Sequence, residues 1–138
     1  MIYCDSSALL KFVKPEKESQ ALRTWRLALD SGLELVTSRL AALEISRTLV
    51  RAGVDRERVP YVVGQALRGL YLLDVTSTVL ARAQSYGIRK LGSLDAIHLA
   101  SALTLGDELT GFVTYDARQA TGTRAARIPV LSPGAELA

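Results

Sequence analysis

Apolar residues along the chain follow two alternating rhythms. Short, nearly unbroken apolar runs occupy 1–5, 34–37, 70–75, 111–115 and 128–131, and they favour β-branched and aromatic side chains. Runs of that length and continuity predict strands buried on both faces. Between them the apolar spacing widens to three and four residues. Leu22, Trp25 and Leu29 mark a segment over 16–31, Ala42, Ile45 and Leu49 one over 39–52, and Val59, Val62, Val63, Ala66 and Leu67 one over 57–69. This periodicity predicts helices, and two more are expected over 77–86 and 93–105. Ser38, Asp55, Thr76 and Ser93 are suited to cap helix starts, and Gly32, Gly53, Gly87 and Gly106 to end them.

Strands alternating with helices predict an α/β fold: a central parallel sheet of about five short strands, helices on both faces, and right-handed crossovers. A chain of 138 residues suits one domain over 1–138 that buries roughly two thirds of its unfolded surface. The tail after about residue 132 is expected to fray. In such sheets ligands bind beyond the carboxyl ends of the strands, at a switch point in strand order.

Four carboxylates stand out against this frame. Asp5 and Asp116 end the first and fourth apolar runs, Glu44 sits between Leu43 and Ile45, and Asp95 lies in the first turn of a helix. The coarse topology sends all four to one sheet edge, whereas acids such as Glu16, Glu18, Asp55 and Glu57 fall in segments that read as solvent-facing. Each of the four has a structural explanation. Asp5 and Asp116 suit N-caps, Asp95 complements a helix dipole, and Glu44 has Arg47 three residues on as a partner. Independent caps do not predict that all four share an edge. Two carboxylates about 5 Å apart repel by roughly 3 kcal/mol at an effective dielectric near 20. Divalent cations relieve that repulsion, and oxygen ligands without clustered Cys or His favour Mg²⁺, with Mn²⁺ as substitute, over zinc. Such a site suits metal-assisted hydrolysis of a phosphodiester.

Composition narrows the field. Every long apolar run is interrupted by charge, so neither a membrane span nor a secretory core is expected, and a cytoplasmic protein is. The single cysteine, Cys4, reads as a small core residue. The net charge is +3, and 13 of 17 basic residues are Arg, the side chain whose planar fork matches phosphate. Arg39, Arg47, Arg51, Arg118, Arg124 and Arg127 flank two of the acids and are candidates for holding a phosphate backbone, Arg39, Arg47 and Arg118 foremost. Ser6, with Ser7, and Thr114 are candidates for hydrogen bonding to the carboxylates. His98, the only histidine, lies three residues after Asp95, a spacing that could place two ligands on one metal, and reads rather as a partly buried structural residue. Trp25 and Leu22 read as core or interface.

Ile2-Tyr3-Cys4-Asp5-Ser6-Ser7-Ala8-Leu9-Leu10-Lys11, the following Pro15-Glu16, and Ser93-Leu94-Asp95-Ala96-Ile97-His98-Leu99-Ala100 resemble PIN-domain ribonucleases, and VapC-type toxins most. Phe112-Val113-Thr114-Tyr115-Asp116 with Ile128-Pro129-Val130 resembles the last motif of that group, and 37–51 its Glu-bearing helix. The likeness runs from residue 1 to about 134. It implies a PIN-like three-layer α/β/α sandwich, a quartet matched by Asp5, Glu44, Asp95 and Asp116 that holds Mg²⁺ or Mn²⁺, and endonucleolytic cleavage of RNA. It also implies a homodimer and a cognate VapB-like antitoxin whose tail covers the site, as in a type II toxin–antitoxin pair. The chain departs from the pattern at Ala117-Arg118-Gln119, where relatives often carry Leu, and at Arg127, where Gly is frequent.

Other readings fit less well. Phosphatases of haloacid-dehalogenase type place a second Asp where this chain has Ser7, and receiver domains need a central phospho-accepting Asp. Nucleotide-dependent enzymes lack their GxGxxG or GxxxxGK[ST] here. A catalytically weak binding module of the same fold, or an RNA-processing nuclease that is not a toxin, remains as an alternative.

Overall fold

The computed structural model describes residues 1–137. Five parallel strands, β1 (Ile2–Cys4), β2 (Leu35–Ser38), β3 (Leu70–Leu73), β4 (Gly111–Val113) and β5 (Val130–Leu131), form one sheet in the order β3-β2-β1-β4-β5. Seven helices connect them: α1 (Ser6–Leu10), α2 (Ser19–Leu27), α3 (Arg39–Arg51), α4 (Val59–Ala66), α5 (Ser77–Gln84), α6 (Ser93–Leu103) and α7 (Ala117–Ala125). Strand order reverses between β1 and β4, which places the switch point beyond Cys4 and Val113.

Side-chain alternation divides the core into two layers. Ile2 and Cys4 of β1, Leu35 and Val113 point to one face, where Leu9, Leu22, Ile45, Leu49 and Val63 of α1 to α4 cover them. Tyr3, Val36 and Phe112 point to the other, against Leu99 and Ala102 of α6. Tyr3 pairs in register with Phe112, and their rings lie 4.9 Å apart. Helices therefore sandwich the sheet, as the sequence pattern predicted. Cys4 is buried, and burial pushes its thiol up to about 12, so it is a core residue.

Several expectations need correction. Only β1, β2 and β4 are buried throughout; β3 and β5, at the sheet edges, are largely half-exposed, because each has a neighbour on one side alone. Helical structure expected over 16–31 is confined to α2, and strand structure expected over 128–131 to β5. Ser38 and Thr76 do cap α3 and α5, accepting from the Leu40 and Val79 amides. Asp55 does not cap α4, whose N-cap is Arg58, and Ser93 lies inside α6 after an N-cap of Gly92. Glu18 and Glu16 are not simply solvated, since they accept from the buried Lys11 Nζ at 2.9 and 3.4 Å. This ammonium also sits 4.7 Å above the Tyr115 ring. In the tail, the Pro133 carbonyl accepts from Tyr115 Oη and the Leu137 carbonyl from Arg124. Helix α7 is absent from the helices that periodicity predicts, although Asp116 suits its N-cap. Its sequence carries no large apolar stripe, and it seats through small residues, with Gly122 so close to Leu91 that a Cβ there would stand 2.7 Å from a Leu91 methyl.

Candidate active site

Asp5 stands at the switch point, 3 % exposed. Its chain position fixes it in two ways. Its amide donates to the Val113 carbonyl at 3.2 Å, which ties it to the end of β4, and it serves as N-cap of α1, with Oδ1 accepting from the Ala8 amide at 3.2 Å. Ser7 Oγ donates to the same Oδ1 at 2.6 Å, and Thr114 Oγ1, at the end of β4, donates to Oδ2 at 2.5 Å. Three neutral donors thus hold one carboxylate across the gap between β1 and β4. No Lys, Arg or His among the described residues forms an ion pair with it. Burial raises its pKa, against the opposing pull of the His98 charge and of the Ser7, Thr114 and Ala8 hydrogen bonds.

Ser7 and Thr114 also organise the backbone around the acid. Ser7 Oγ accepts from the Tyr115 amide at 2.9 Å, and Thr114 Oγ1 accepts from the Asp116 amide at 3.1 Å. Of the two serines, Ser7 is therefore the one that touches the carboxylate. Ser6, the residue singled out from the sequence, instead lines a groove beside Glu44.

Glu44 is placed by α3. Its Oε1 lies 2.5 Å from His98 Nε2, while His98 Nδ1 lies 2.7 Å from the Tyr3 hydroxyl. Tyr3 and His98 are buried, and burial, with the Asp5 charge next, raises the Tyr3 pKa, so the phenol keeps its proton. A chain of contacts therefore runs from β1 through α6 to the acid on α3. His98 was expected to be structural; it is buried, and it also contacts an acid of the quartet. The signal in the sequence was its spacing from Asp95.

Asp95 lies in the first turn of α6 and is half-buried. Burial raises its pKa, and the charges of Asp116 and Asp5 raise it further, which brings these three acids into one electrostatic neighbourhood. Asp116 is exposed and caps α7, with Oδ1 accepting from the Arg118 and Gln119 amides at 2.8 and 3.2 Å. The capping roles weighed for Asp5 and Asp116 are thus both realised. Among the described residues, no three His, Cys, Asp or Glu side chains stand in positions to ligate one ion together. Glu44 and Asp116 are directed instead to His98 and to the start of α7. The donor set itself, all carboxylate oxygen around a buried Asp5 that has no paired cation, fits a hard divalent ion.

The arginines separate. Arg39 Nε pairs with Asp74 Oδ1 at 2.5 Å on the exposed surface. Arg47 and Arg51 line the groove beside Glu44 together with Leu40, Leu43 and Leu94. Arg118 lines a cavity between the starts of α6 and α7. Arg124 bonds the tail, and Arg127 holds a left-handed backbone at φ 62°.

The PIN domain model matches residues 2–123 of the chain, a span that runs from β1 into α7. The chain belongs to the PIN-domain family. Within it, the chain is 43 % identical over 138 residues to ribonuclease VapC47 of Mycobacterium tuberculosis, covering 98 % of both chains. Ribonuclease VapC35 of the same organism is 41 % identical, over 97 % of this chain and 98 % of its own. These relatives place it in the VapC branch. Among solved structures, VapBC2 from Rickettsia felis, bound to a DNA fragment from its promoter, aligns with a TM-score of 0.72 at 13 % identity, over 96 % of this chain and 99 % of that one. Mycobacterium tuberculosis VapC20, described as a sarcin-ricin loop cleaving toxin, gives 0.72 at 13 % identity over 88 % and 95 %. At those identities the structural likeness speaks for the fold.

Proposed function

We propose that the protein is an endoribonuclease that hydrolyses RNA phosphodiester bonds with Mg²⁺ or Mn²⁺ at Asp5, Glu44, Asp95 and Asp116, acting as the toxin of a toxin–antitoxin pair. The observation that carries this reading is the Asp5 carboxylate: buried at the switch point, held by neutral donors only, and close enough to Asp95 and Asp116 for their charges to act on one another. Family membership supports the ribonuclease activity, and the named relatives support the toxin role.

When bound, the divalent ion lowers the pKa of its water and neutralises phosphate charge. The residues of this chain supply the rest. Ser7 and Thr114 fix both oxygens of Asp5, so its free lone pair has a set direction. His98, held by Tyr3, gives Glu44 a defined resting position. Asp95 and Asp116 enter from the starts of α6 and α7. Glu44 bonds within the protein through Oε1 and Asp116 through Oδ1, so the second oxygen of each would be the one offered to an ion. Arg47, in the groove beside Glu44, and Arg118, in the cavity between the starts of α6 and α7, would meet phosphates of the strand, while Arg39 is engaged by Asp74. A homodimer, a VapB-like antitoxin seated over the site and a cytoplasmic setting complete the proposal. No helix among the described residues is long and apolar enough to cross a membrane.

The test is cleavage of a structured RNA by the purified, antitoxin-free protein with and without Mg²⁺, beside Asp5→Asn. Cleavage that needs the metal and is lost in the variant is expected. Equal cleavage by both proteins, or cleavage in the presence of EDTA, would overturn the mechanism. Growth arrest when the chain is expressed without a partner separates a toxin from an RNA-processing nuclease.

A further inference from the structure

A cavity of about 640 Å³ opens between the start of α6 and the start of α7. Arg89, Lys90, Gly92, Arg118 and Thr121 line it. Its position is set by the fold. Gly92 is the N-cap of α6, three residues before Asp95, and the wall across from it begins at Ala117, immediately after Asp116. The cavity therefore adjoins two of the four acids.

Several basic side chains elsewhere on the surface have partners of their own. Arg39 is engaged by Asp74, Lys11 by Glu16 and Glu18, and Arg23, Arg26 and Arg124 by main-chain carbonyls. The side chains of Arg89, Lys90 and Arg118 make no ion pair or hydrogen bond among the described residues, and all three residues are exposed. Three unneutralised cations around one cavity repel each other unless an anion joins them. Gly92 provides no side-chain cap at the start of α6, and the Asp95 carboxylate in the first turn meets that end of the helix, so the attraction for an anion rests on the three side chains. The volume exceeds what a bare oxyanion fills and lies within the range of nucleotide-sized pockets. Leu91 gives it an apolar wall, and Thr121, whose hydroxyl donates to the Ala117 carbonyl at 3.0 Å, lines it as well.

We propose that this cavity is a nucleotide subsite of the RNA strand, in which Arg89, Lys90 and Arg118 bind the backbone phosphate adjacent to the one cleaved at the acids. The subsite rests on the RNA reading above. Guanidinium forks pair bidentately with phosphate oxygens, and the lysine acts as a point charge beside them. The strand would run from this cavity across Asp116 and Asp95 towards Asp5, with the groove of Arg47 and Arg51 beside Glu44. Such interactions orient the strand without reading its bases, so removing them weakens binding uniformly across sequences.

The experiment measures RNA binding rather than cleavage. In an Asp5→Asn background, without divalent metal, fluorescence anisotropy of a labelled RNA hairpin is followed over a series of salt concentrations. Arg89→Gln/Arg118→Gln is compared with Arg56→Gln/Arg58→Gln, which removes the same charge beyond the far end of α3. The cavity pair is expected to lower the slope of log affinity against log salt by about 0.7 for each phosphate that is no longer neutralised, and to weaken binding about tenfold at moderate salt. The control pair is expected to change the slope far less. Adding Lys90→Gln is expected to weaken binding further. Equal slopes for the two pairs would overturn the subsite while leaving the RNA reading intact. Absence of RNA binding in the parent protein would overturn both. Undiminished RNA binding with weakened binding of the antitoxin would assign the cavity to an acidic peptide and so refute the proposal.

Discussion

Replacing Thr114 by Val tests the central claim about Asp5 without touching the acid. The two side chains have nearly the same shape, so the change deletes one donor and one acceptor from a site that is fully buried. The deleted donor makes the bond of 2.5 Å to Asp5 Oδ2, and a hydrogen bond to a charged group contributes about 1.5–3 kcal/mol. The deleted acceptor serves the Asp116 amide at 3.1 Å, worth about 0.5–1.5 kcal/mol where partly buried. A total near 3 kcal/mol is expected while Asp5 is ionised. The sign of the pH dependence follows from the direction of the Asp5 shift. Burial raises its pKa, and the Thr114 bond is one of the influences that oppose the rise, so the variant should be raised further. A carboxyl with a raised pKa favours the folded state at low pH, below the ordinary value, and that advantage disappears as pH climbs through the folded value. The gap between wild type and variant should therefore be widest in alkali and shrink towards about 2 kcal/mol in acid, where the carboxyl gives up only a neutral bond and the Asp116 amide loses its acceptor as before. Urea titrations at about pH 4 and about pH 9 measure it, at roughly 4 °C of melting temperature per kcal/mol for a chain of this length. Thr114→Ser, which keeps the hydroxyl, should recover most of the deficit. A deficit equal at both pH values, or greater in acid, would refute the account of Asp5 as a buried anion held by neutral donors.

Further changes bear on the rest of the site. Asp95→Asn should raise the melting temperature by a few degrees at neutral to alkaline pH in metal-free buffer and lose this advantage in acid, since burial and the Asp116 and Asp5 charges all raise the Asp95 pKa; identical scans at both pH values would contradict it. In excess Mn²⁺ the order should invert, because an ion bound to the folded state alone stabilises the protein with more ligands. His98→Leu should cost about 1–3 kcal/mol by leaving the buried Tyr3 hydroxyl without its partner, and adding Tyr3→Phe should return part of that; a strictly additive double-mutant cycle would show that the contact of 2.7 Å contributes nothing. Arg127→Gly should stabilise by up to about 1 kcal/mol, because a left-handed φ of 62° strains any residue with a Cβ. A lower melting temperature for that variant would instead assign Arg127 a side-chain role.

Strands, main helices and the edge shared by the acids were legible because they depend on local periodicity and on one topological rule. Tyr3 and Cys4 alternate between the two layers as any strand does, and Ile45 and Leu49 mark the buried side of α3 as any amphipathic helix does. What stayed hidden depends on side-chain direction over long separations. Ser6 and Ser7 are indistinguishable as neighbours, and only the turn of α1 after Asp5 decides which hydroxyl meets the carboxylate. The partners of His98 lie 54 and 95 positions away in sequence, so its spacing from Asp95 suggested a site but not which acid it serves. Helix α7 escaped because close approach through Gly122 replaces the apolar stripe that periodicity detects. Arg89 and Lys90 fell in a connection between expected helices, where charge reads as solvated surface until α7 is found to close the opposite wall.

The structural and functional explanations of Asp5 do not compete. A free carboxylate on a strand end would rotate, and the entropy of fixing it would oppose every ligand it bound. Capping α1 removes that freedom at the cost of burying a charge, and the Ser7 and Thr114 hydroxyls limit the cost without neutralising the charge. Had Lys or Arg taken their place, the fold would be more comfortable and the site already satisfied. Neutral donors leave an oriented anion with one unfilled lone pair and a raised pKa, a state that a divalent cation relieves more than any residue present. The cap therefore prepares the ligand. The same logic applies at Asp116, where the helix that the acid caps also carries Arg118 into the neighbouring cavity, so one short turn sets the positions of the carboxylate and the guanidinium together.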